Sequence, residues 1–85
     1  MVSKAEKNLD KMRKSQSGWK RTDVDRIYEH FGFIIDPKGG NHDKVYHPDY
    51  PHLVTFLPRH RKVAGYIIKQ LIGNIDRLKN LQDED

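Results

Sequence analysis

The strongest apolar pattern lies near the end of the chain, over about residues 62–80. Apolar side chains recur there at intervals of three and four, which places them on one wide face of a helix. That face consists of Ala64, Ile67, Ile68, Leu71, Ile72, Ile75 and Leu78. The pattern therefore predicts a helix whose apolar face is broad enough to cover one side of a small sheet.

Two shorter helices are predicted in the first third of the chain. Residues 4–14 carry a thin apolar stripe at helical spacing, formed by Ala5, Leu9 and Met12. A second stripe consists of Val24, Ile27, Tyr28 and Phe31. Thr22 is the predicted N-cap of this second helix, with Asp25 in the position of a capping-box acid. Gly32 follows the stripe, where a residue with positive φ commonly ends a helix.

Three short strands are predicted between the second and the last helix. Residues 33–35, 44–47 and 53–57 are rich in β-branched and aromatic side chains, and turns separate them. Connections this short favour an antiparallel meander. The order of elements predicts an α+β fold, a two-layer α-β-β-β-α sandwich with an extra N-terminal helix. We expect residues 1–17 to form a helical extension and linker, and residues 18–85 to form a single domain.

The charge of the chain favours a polyanionic partner. Lysine and arginine together number 16 against 12 aspartate and glutamate residues, which gives a net charge of +4. Three of the acids are the last three residues, so the positive charge is concentrated in the rest of the chain. This balance is typical of nucleic-acid binders, although many small basic domains bind no nucleic acid.

The composition also narrows the compartment and the chemistry. The chain has no cysteine, which excludes disulfides and thiolate metal sites. No apolar run is long enough to span a membrane, and the first residues lack the apolar stretch of a signal peptide. We therefore expect a cytoplasmic protein that does not associate with a membrane.

The first candidate site is a glycine-rich turn. Its residues are Lys38, Gly39, Gly40, Asn41 and His42, with Lys44 two positions further on. An imidazole can act as base or acid near neutral pH, as is needed when an RNA 2′-hydroxyl attacks the adjacent phosphate. The glycines leave backbone N–H groups accessible to a phosphate, and the lysines add positive charge. The alternative is an ordinary hairpin turn with a solvated histidine, which the spacing by itself favours because glycine turns are common.

The second candidate site is a basic segment between the third strand and the last helix. Its residues are Arg59, His60, Arg61 and Lys62. Arginine forms two-pronged contacts with phosphate, and the start of the predicted helix offers free N–H groups. His60 is a candidate for a second, assisting proton-transfer group. A solvated basic loop is the alternative interpretation.

Two further features have plainer interpretations. Trp19 is expected to pack the N-terminal segment onto the body of the protein rather than to stack on a base. His47 and His52 bracket Asp49, but their spacing matches no known metal site. We therefore expect no bound metal and no cofactor.

These motifs and the order of elements resemble the HicA toxin family from about Arg21 to Leu78. The matching stretches are Phe31-Gly32-Phe33, Lys38-Gly39-Gly40-Asn41-His42, His47-Pro48-Asp49 and Val54-Thr55-Phe56-Leu57-Pro58-Arg59-His60. The chain departs from the family at Asn41, where serine is frequent, and at Asp43, where a histidine or a neutral residue is common. The start of the last helix also differs. An anion beside His42 is expected to hold the tautomer of its imidazole.

The resemblance implies a double-stranded-RNA-binding-like fold used as a ribonuclease toxin, which cuts mRNA and is silenced by a cognate HicB-like antitoxin. It places the catalytic histidine of the family on His42, and the turn that shapes the site on Gly39, Gly40 and Asn41. We expect a metal-independent endoribonuclease whose RNA phosphates are held by Lys38, Lys44, Arg59, Arg61 and Lys62. The alternatives are a non-catalytic RNA-binding module on the same fold and a protein-interaction subunit with an acidic partner.

Overall fold

A computed structural model describes residues 3–37, 41–59 and 61–84 of the chain. Within these residues the helices are α1 (Lys4–Lys14), α2 (Arg21–His30) and α3 (Gly65–Glu84). The strands are β1 (Ile34–Pro37), β2 (His42–Tyr46) and β3 (Val54–Pro58). The predicted α+β fold is confirmed. No helix in the described part of the chain is both long enough and apolar enough to cross a membrane.

The sheet is the antiparallel meander that the short connections predict, with strand order β1-β2-β3. The predicted second strand, 44–47, is displaced: β2 begins at His42 and ends before His47. The reason is the pairing with β3, in which His42 lies opposite Pro58 and Asp43 lies opposite Leu57. His42 is therefore held in a strand and does not belong to the turn.

One core joins the helices to one face of the sheet. Its buried side chains are Leu9, Met12, Val24, Ile27, Tyr28, Phe33, Val45, Leu53, Leu57, Ile67, Ile68, Leu71, Ile75 and Leu78. Helix α1 forms over the predicted residues and packs against α2 and α3 through Leu9 and Met12. Burial of a side chain of this size stabilises the fold by about 1.5–3 kcal/mol. The boundary at residue 17 stays a prediction.

The start of α2 differs from the prediction. Lys20, not Thr22, is the N-cap, and the carboxylate of Asp23 accepts the backbone N–H of Lys20 at 3.1 Å. The cap is fixed by tertiary structure, because Lys20 forms an isolated β-bridge with Lys62. Asp25 instead accepts a hydrogen bond from the guanidinium of Arg21.

The end of α2 follows the sequence prediction. Gly32 has φ of +89°, a conformation that side-chain-bearing residues rarely adopt. The chain turns there, so that Phe33 packs edge-on against Tyr28 with ring centres 5.0 Å apart. Tyr28 is fully buried, and its hydroxyl accepts a hydrogen bond from Asn74 on α3. Burial raises the pKa of Tyr28 to about 12.

Candidate active site

His42 lies on the open face of the sheet. Side chains alternate between the two faces of a strand, and Val45 of β2 is fully buried in the core. His42 and Lys44 therefore point away from the helices, and the imidazole is exposed to solvent. Pro58 and Phe56 of β3 lie directly opposite these two residues. The candidate catalytic histidine and a candidate phosphate-binding lysine thus share an accessible face.

The same face carries aromatic side chains that the sequence motifs did not indicate. Phe56 is 57% exposed, although it lies in the middle of β3. The ammonium of Lys44 lies 5.3 Å from the centre of the Tyr46 ring. Exposed aromatic rings beside cations are suited to stacking unpaired bases. The alternation of β3, with Leu57 buried and Phe56 outward, is the signal that could have identified this residue.

The helix-facing side of the same strand end holds a network of ion pairs centred on Asp43. Its carboxylate accepts hydrogen bonds from Arg21 at 2.8 Å and from Arg59 at 2.7 Å. Arg21 also pairs with Asp25 at 2.7 Å and donates to the carbonyl oxygen of Pro58. The side chains of Arg21 and Asp43 are only 12% and 14% exposed. The network therefore fixes the start of α2 to the start of β2 and the end of β3.

This network corrects the expectation that Asp43 acts on the neighbouring imidazole. Successive residues of β2 point to opposite faces, so the carboxylate of Asp43 and the ring of His42 lie on different sides of the sheet. Hydrogen bonds from Arg21 and Arg59 instead hold the pKa of Asp43 below its usual value. Arg21 was missed by the sequence reasoning because its partner Asp43 is 22 positions away.

The first residue of the basic segment, Arg59, lies next to Asn41, which follows the glycines in sequence. The backbone N–H of Arg59 donates to the carbonyl oxygen of Asn41 at 3.2 Å. Arg61 and Lys62 are exposed. Helix α3 begins at Gly65 and not at about residue 62, so the predicted start of this helix is wrong and its first free N–H groups lie beyond Lys62. The backbone of residues 61–63 instead pairs with residues 19–21.

Several predicted site residues lie outside the described part of the chain. They are Lys38, Gly39, Gly40 and His60. The described neighbours of these residues are Pro37, Asn41, Arg59 and Arg61. The ends of the glycine-rich turn and of the basic segment are thus fixed, and both lie at one end of the sheet.

The remaining candidate residues are Trp19, His47 and His52, and the first two make structural contacts. The indole N–H of Trp19 donates to the carbonyl oxygen of Ser15, and its half-buried ring packs on the core, as expected for an anchor. His47 is buried edge-on against Phe33, and its Nδ1 accepts the backbone N–H of Asp49. His52 is exposed. Among residues 3–37, 41–59 and 61–84, no group of three or more histidine, aspartate or glutamate side chains is placed to hold a metal ion.

A cleft of about 520 Å³ opens beside the ion-pair network. Four of its lining residues are cationic: Lys20, Arg21, Arg59 and Arg61. The others are Thr22, Asp25 and Asp43. Basic residues from before α2 and from after β3 therefore meet at the end of the sheet where His42 lies.

Comparison with protein families assigns the chain to a family. The family model described as "HicA toxin of bacterial toxin-antitoxin" matches residues 21–80. The chain belongs to the HicA toxin family. It is thus the toxin component of a toxin–antitoxin system, and the family implies an antitoxin as its partner. The chain has no significant match among curated proteins or among solved structures. The HicA match begins at Arg21, so it includes the whole Asp43 network and leaves out α1.

Proposed function

We propose that this HicA toxin is an endoribonuclease that cleaves mRNA without a metal ion, with His42 as general acid/base. The observation that carries the proposal is the placement of an exposed imidazole at the start of β2, on the same face as Lys44. Near neutral pH an imidazole is present in both protonation states, so it can accept or donate a proton during catalysis.

The proposed reaction is attack by a ribose 2′-hydroxyl on the adjacent phosphate. The 2′-oxygen forms a bond to phosphorus, the bond from phosphorus to the 5′-oxygen breaks, and the leaving oxygen takes a proton. A base removes the proton of the 2′-hydroxyl, and an acid protonates the leaving oxygen. His42 supplies one of these roles, and His60 is proposed to assist.

The basic residues around His42 are proposed to bind the RNA backbone. Lys44 lies on the face of His42, and Arg59 is linked through its backbone to Asn41. Cations near the reacting phosphate stabilise the negative charge that develops on its oxygens. The full proposed set is Lys38, Gly39, Gly40, Asn41, Lys44, Arg59, Arg61 and Lys62.

The proposed partners follow from this activity. We place the toxin in the cytoplasm, where its mRNA substrate is translated, and propose that a HicB-like antitoxin silences it. The alternative function is a non-catalytic RNA-binding module, which the exposed aromatic ring of Phe56 and the cations on the same surface would also serve. Such a module binds RNA in a salt-sensitive way and leaves it intact.

Cleavage by the purified protein separates these functions. We expect wild-type toxin to cut an mRNA equally fast with and without EDTA, because the proposed acid, base and cations are all side chains. A DNA strand of the same sequence should remain intact, because it lacks the 2′-hydroxyl. Intact RNA at high concentrations of folded protein would contradict the ribonuclease proposal and leave the binding module. Loss of cleavage in EDTA would contradict metal independence.

A further inference from the structure

The cleft beside the Asp43 network has positive charge that the carboxylates lining it do not neutralise. Arg21 is engaged by Asp25 and Asp43, and Arg59 is engaged by Asp43. Within the described residues, neither of the other two cations that line the cleft, Lys20 and Arg61, forms an ion pair. The four cations and two carboxylates of the cleft leave a net charge of +2. The cleft is therefore suited to an anion.

Hydrogen bonds of Arg21 hold the cationic side of the cleft in place. Arg21 is largely buried and makes hydrogen bonds to two carboxylates and to the carbonyl oxygen of Pro58. The backbone N–H of Arg21 donates to the carbonyl oxygen of Arg61 at 2.9 Å. This contact ties the backbone positions of Lys20 and Arg61 together. The two exposed side chains therefore project from neighbouring backbone positions at the cleft.

The cleft and the candidate catalytic histidine occupy the two sides of one strand end. Asp43, which lines the cleft, directly follows His42. Arg59, which also lines the cleft, directly follows Pro58, the residue paired with His42. A chain that passes over this end of the sheet therefore meets the imidazole on one side and the cleft on the other. The cleft volume of about 520 Å³ is in the range of sites that hold molecules larger than a single phosphate ion.

The geometry points to this cleft as a second binding position for single-stranded RNA, which takes the sugar-phosphate backbone next to the nucleotide at His42. Lys20 and Arg61 contact the phosphate, and Asp43 is a positioning residue that holds Arg59 at the edge of the cleft. This inference rests on the proposed ribonuclease function. RNA is favoured over an acidic peptide because the cleft adjoins the residue proposed to act on the RNA backbone.

The test compares two double variants of the full chain, both in a His42→Ala background so that bound RNA stays intact. Lys20→Gln/Arg61→Gln removes the two cations of the cleft that neither Asp25 nor Asp43 engages. Lys7→Gln/Lys11→Gln is the matched control, because it removes two exposed cations from α1, away from the cleft. Binding of a fluorescently labelled single-stranded RNA is followed by anisotropy from about 50 to about 200 mM salt.

We expect the cleft variant to bind RNA about tenfold more weakly than the His42→Ala parent. The slope of log affinity against log salt should fall in magnitude by about 0.7, the contribution of the one single-strand phosphate that Lys20 and Arg61 contact. The control should match the parent in both quantities. Melting curves should coincide for all three proteins, because the substituted side chains are exposed.

Three results would overturn the inference. They are equal RNA affinity of the cleft and control variants, no RNA binding by the parent, and unchanged RNA affinity combined with lost binding of the cognate antitoxin. The last result would assign the cleft to an acidic protein partner. Failure of the proposed function gives a different result. A wild-type protein that binds RNA through the cleft but does not cut it would refute the ribonuclease activity and leave RNA binding by the cleft intact.

Discussion

The variant His42→Ala is expected to cleave RNA about 10²–10⁴-fold more slowly than the wild type, because it lacks a proton-transfer group at the reacting phosphate. The rate is measured on purified protein with saturating RNA, so that chemistry and not binding is compared. His42 is exposed, and its side chain is outside the core. The free energy of unfolding of the variant should therefore lie within about 0.5 kcal/mol of that of the wild type.

A second histidine provides the matched control for this experiment. His52 is also exposed, but it lies in the connection between β2 and β3, away from the end of the sheet that carries His42. His52→Ala should retain the wild-type rate. Full activity of His42→Ala, or an equal loss in both variants, would contradict a specific catalytic role for His42.

The variant Asp43→Ala is expected to lower the free energy of unfolding by about 2–3 kcal/mol. It leaves the largely buried guanidinium of Arg21 with a single carboxylate partner and releases Arg59. Hydrogen bonds to charged groups contribute about 1.5–3 kcal/mol each, and a buried charge that loses a partner is strongly destabilising. Urea unfolding of the two proteins, monitored by circular dichroism, measures the difference.

Asp76→Ala is the control for Asp43→Ala. Asp76 pairs with Arg13 across α1 and α3, but the two side chains are 47% and 38% exposed. Pairs of this kind contribute about 0–1 kcal/mol. A loss in Asp43→Ala no larger than that in Asp76→Ala would contradict a structural role for the Asp43 network.

The same network predicts how the stability contribution of Asp43 depends on pH. The pKa of Asp43 is held below its usual value of 3.8, first by the hydrogen bond from Arg21 and then by that from Arg59. The stabilisation is therefore fully present above pH 3.8 and is lost as the pH falls through the lowered pKa, because the unfolded chain binds the proton first. The difference in unfolding free energy between wild type and Asp43→Ala should accordingly shrink in acid.

The sequence predicts those parts of this fold that depend on local pattern. The stripe of Leu9 and Met12 predicted the bounds of α1, and Gly32 predicted the end of α2. The start of α2 was misplaced because Lys20 is fixed by a bridge to Lys62, which is distant in sequence. Local capping preferences contain no information about that contact.

The candidate site was predicted only in part, because some of its contacts join residues that are distant in sequence. The chemistry of His42 and of the basic segment is readable from residue types, and the antiparallel order of β2 and β3 brings the two segments together. The partners of Asp43 are not readable, because they depend on which face of β2 meets the start of α2. The neighbour of Asp43 in sequence is His42, whereas its neighbours in space are Arg21 and Arg59.

Helix α1 lies outside the HicA match, and yet it is part of the core. Met12 is fully buried and Leu9 nearly so, between α2 and α3. Ser3 caps the helix by accepting the backbone N–H of Glu6. The contribution of α1 to the described structure is therefore packing of the helical layer.

Inducible expression in a bacterial host is the most direct test of a His42-dependent RNA-cleaving toxin. Growth, the integrity of total mRNA and the level of soluble toxin are followed for wild type and for His42→Ala. We expect the wild type alone to arrest growth and degrade mRNA, with both proteins present at equal soluble levels. The claim would be contradicted if wild type and His42→Ala were both soluble and left growth and mRNA unchanged. It would also be contradicted if the two proteins degraded mRNA equally.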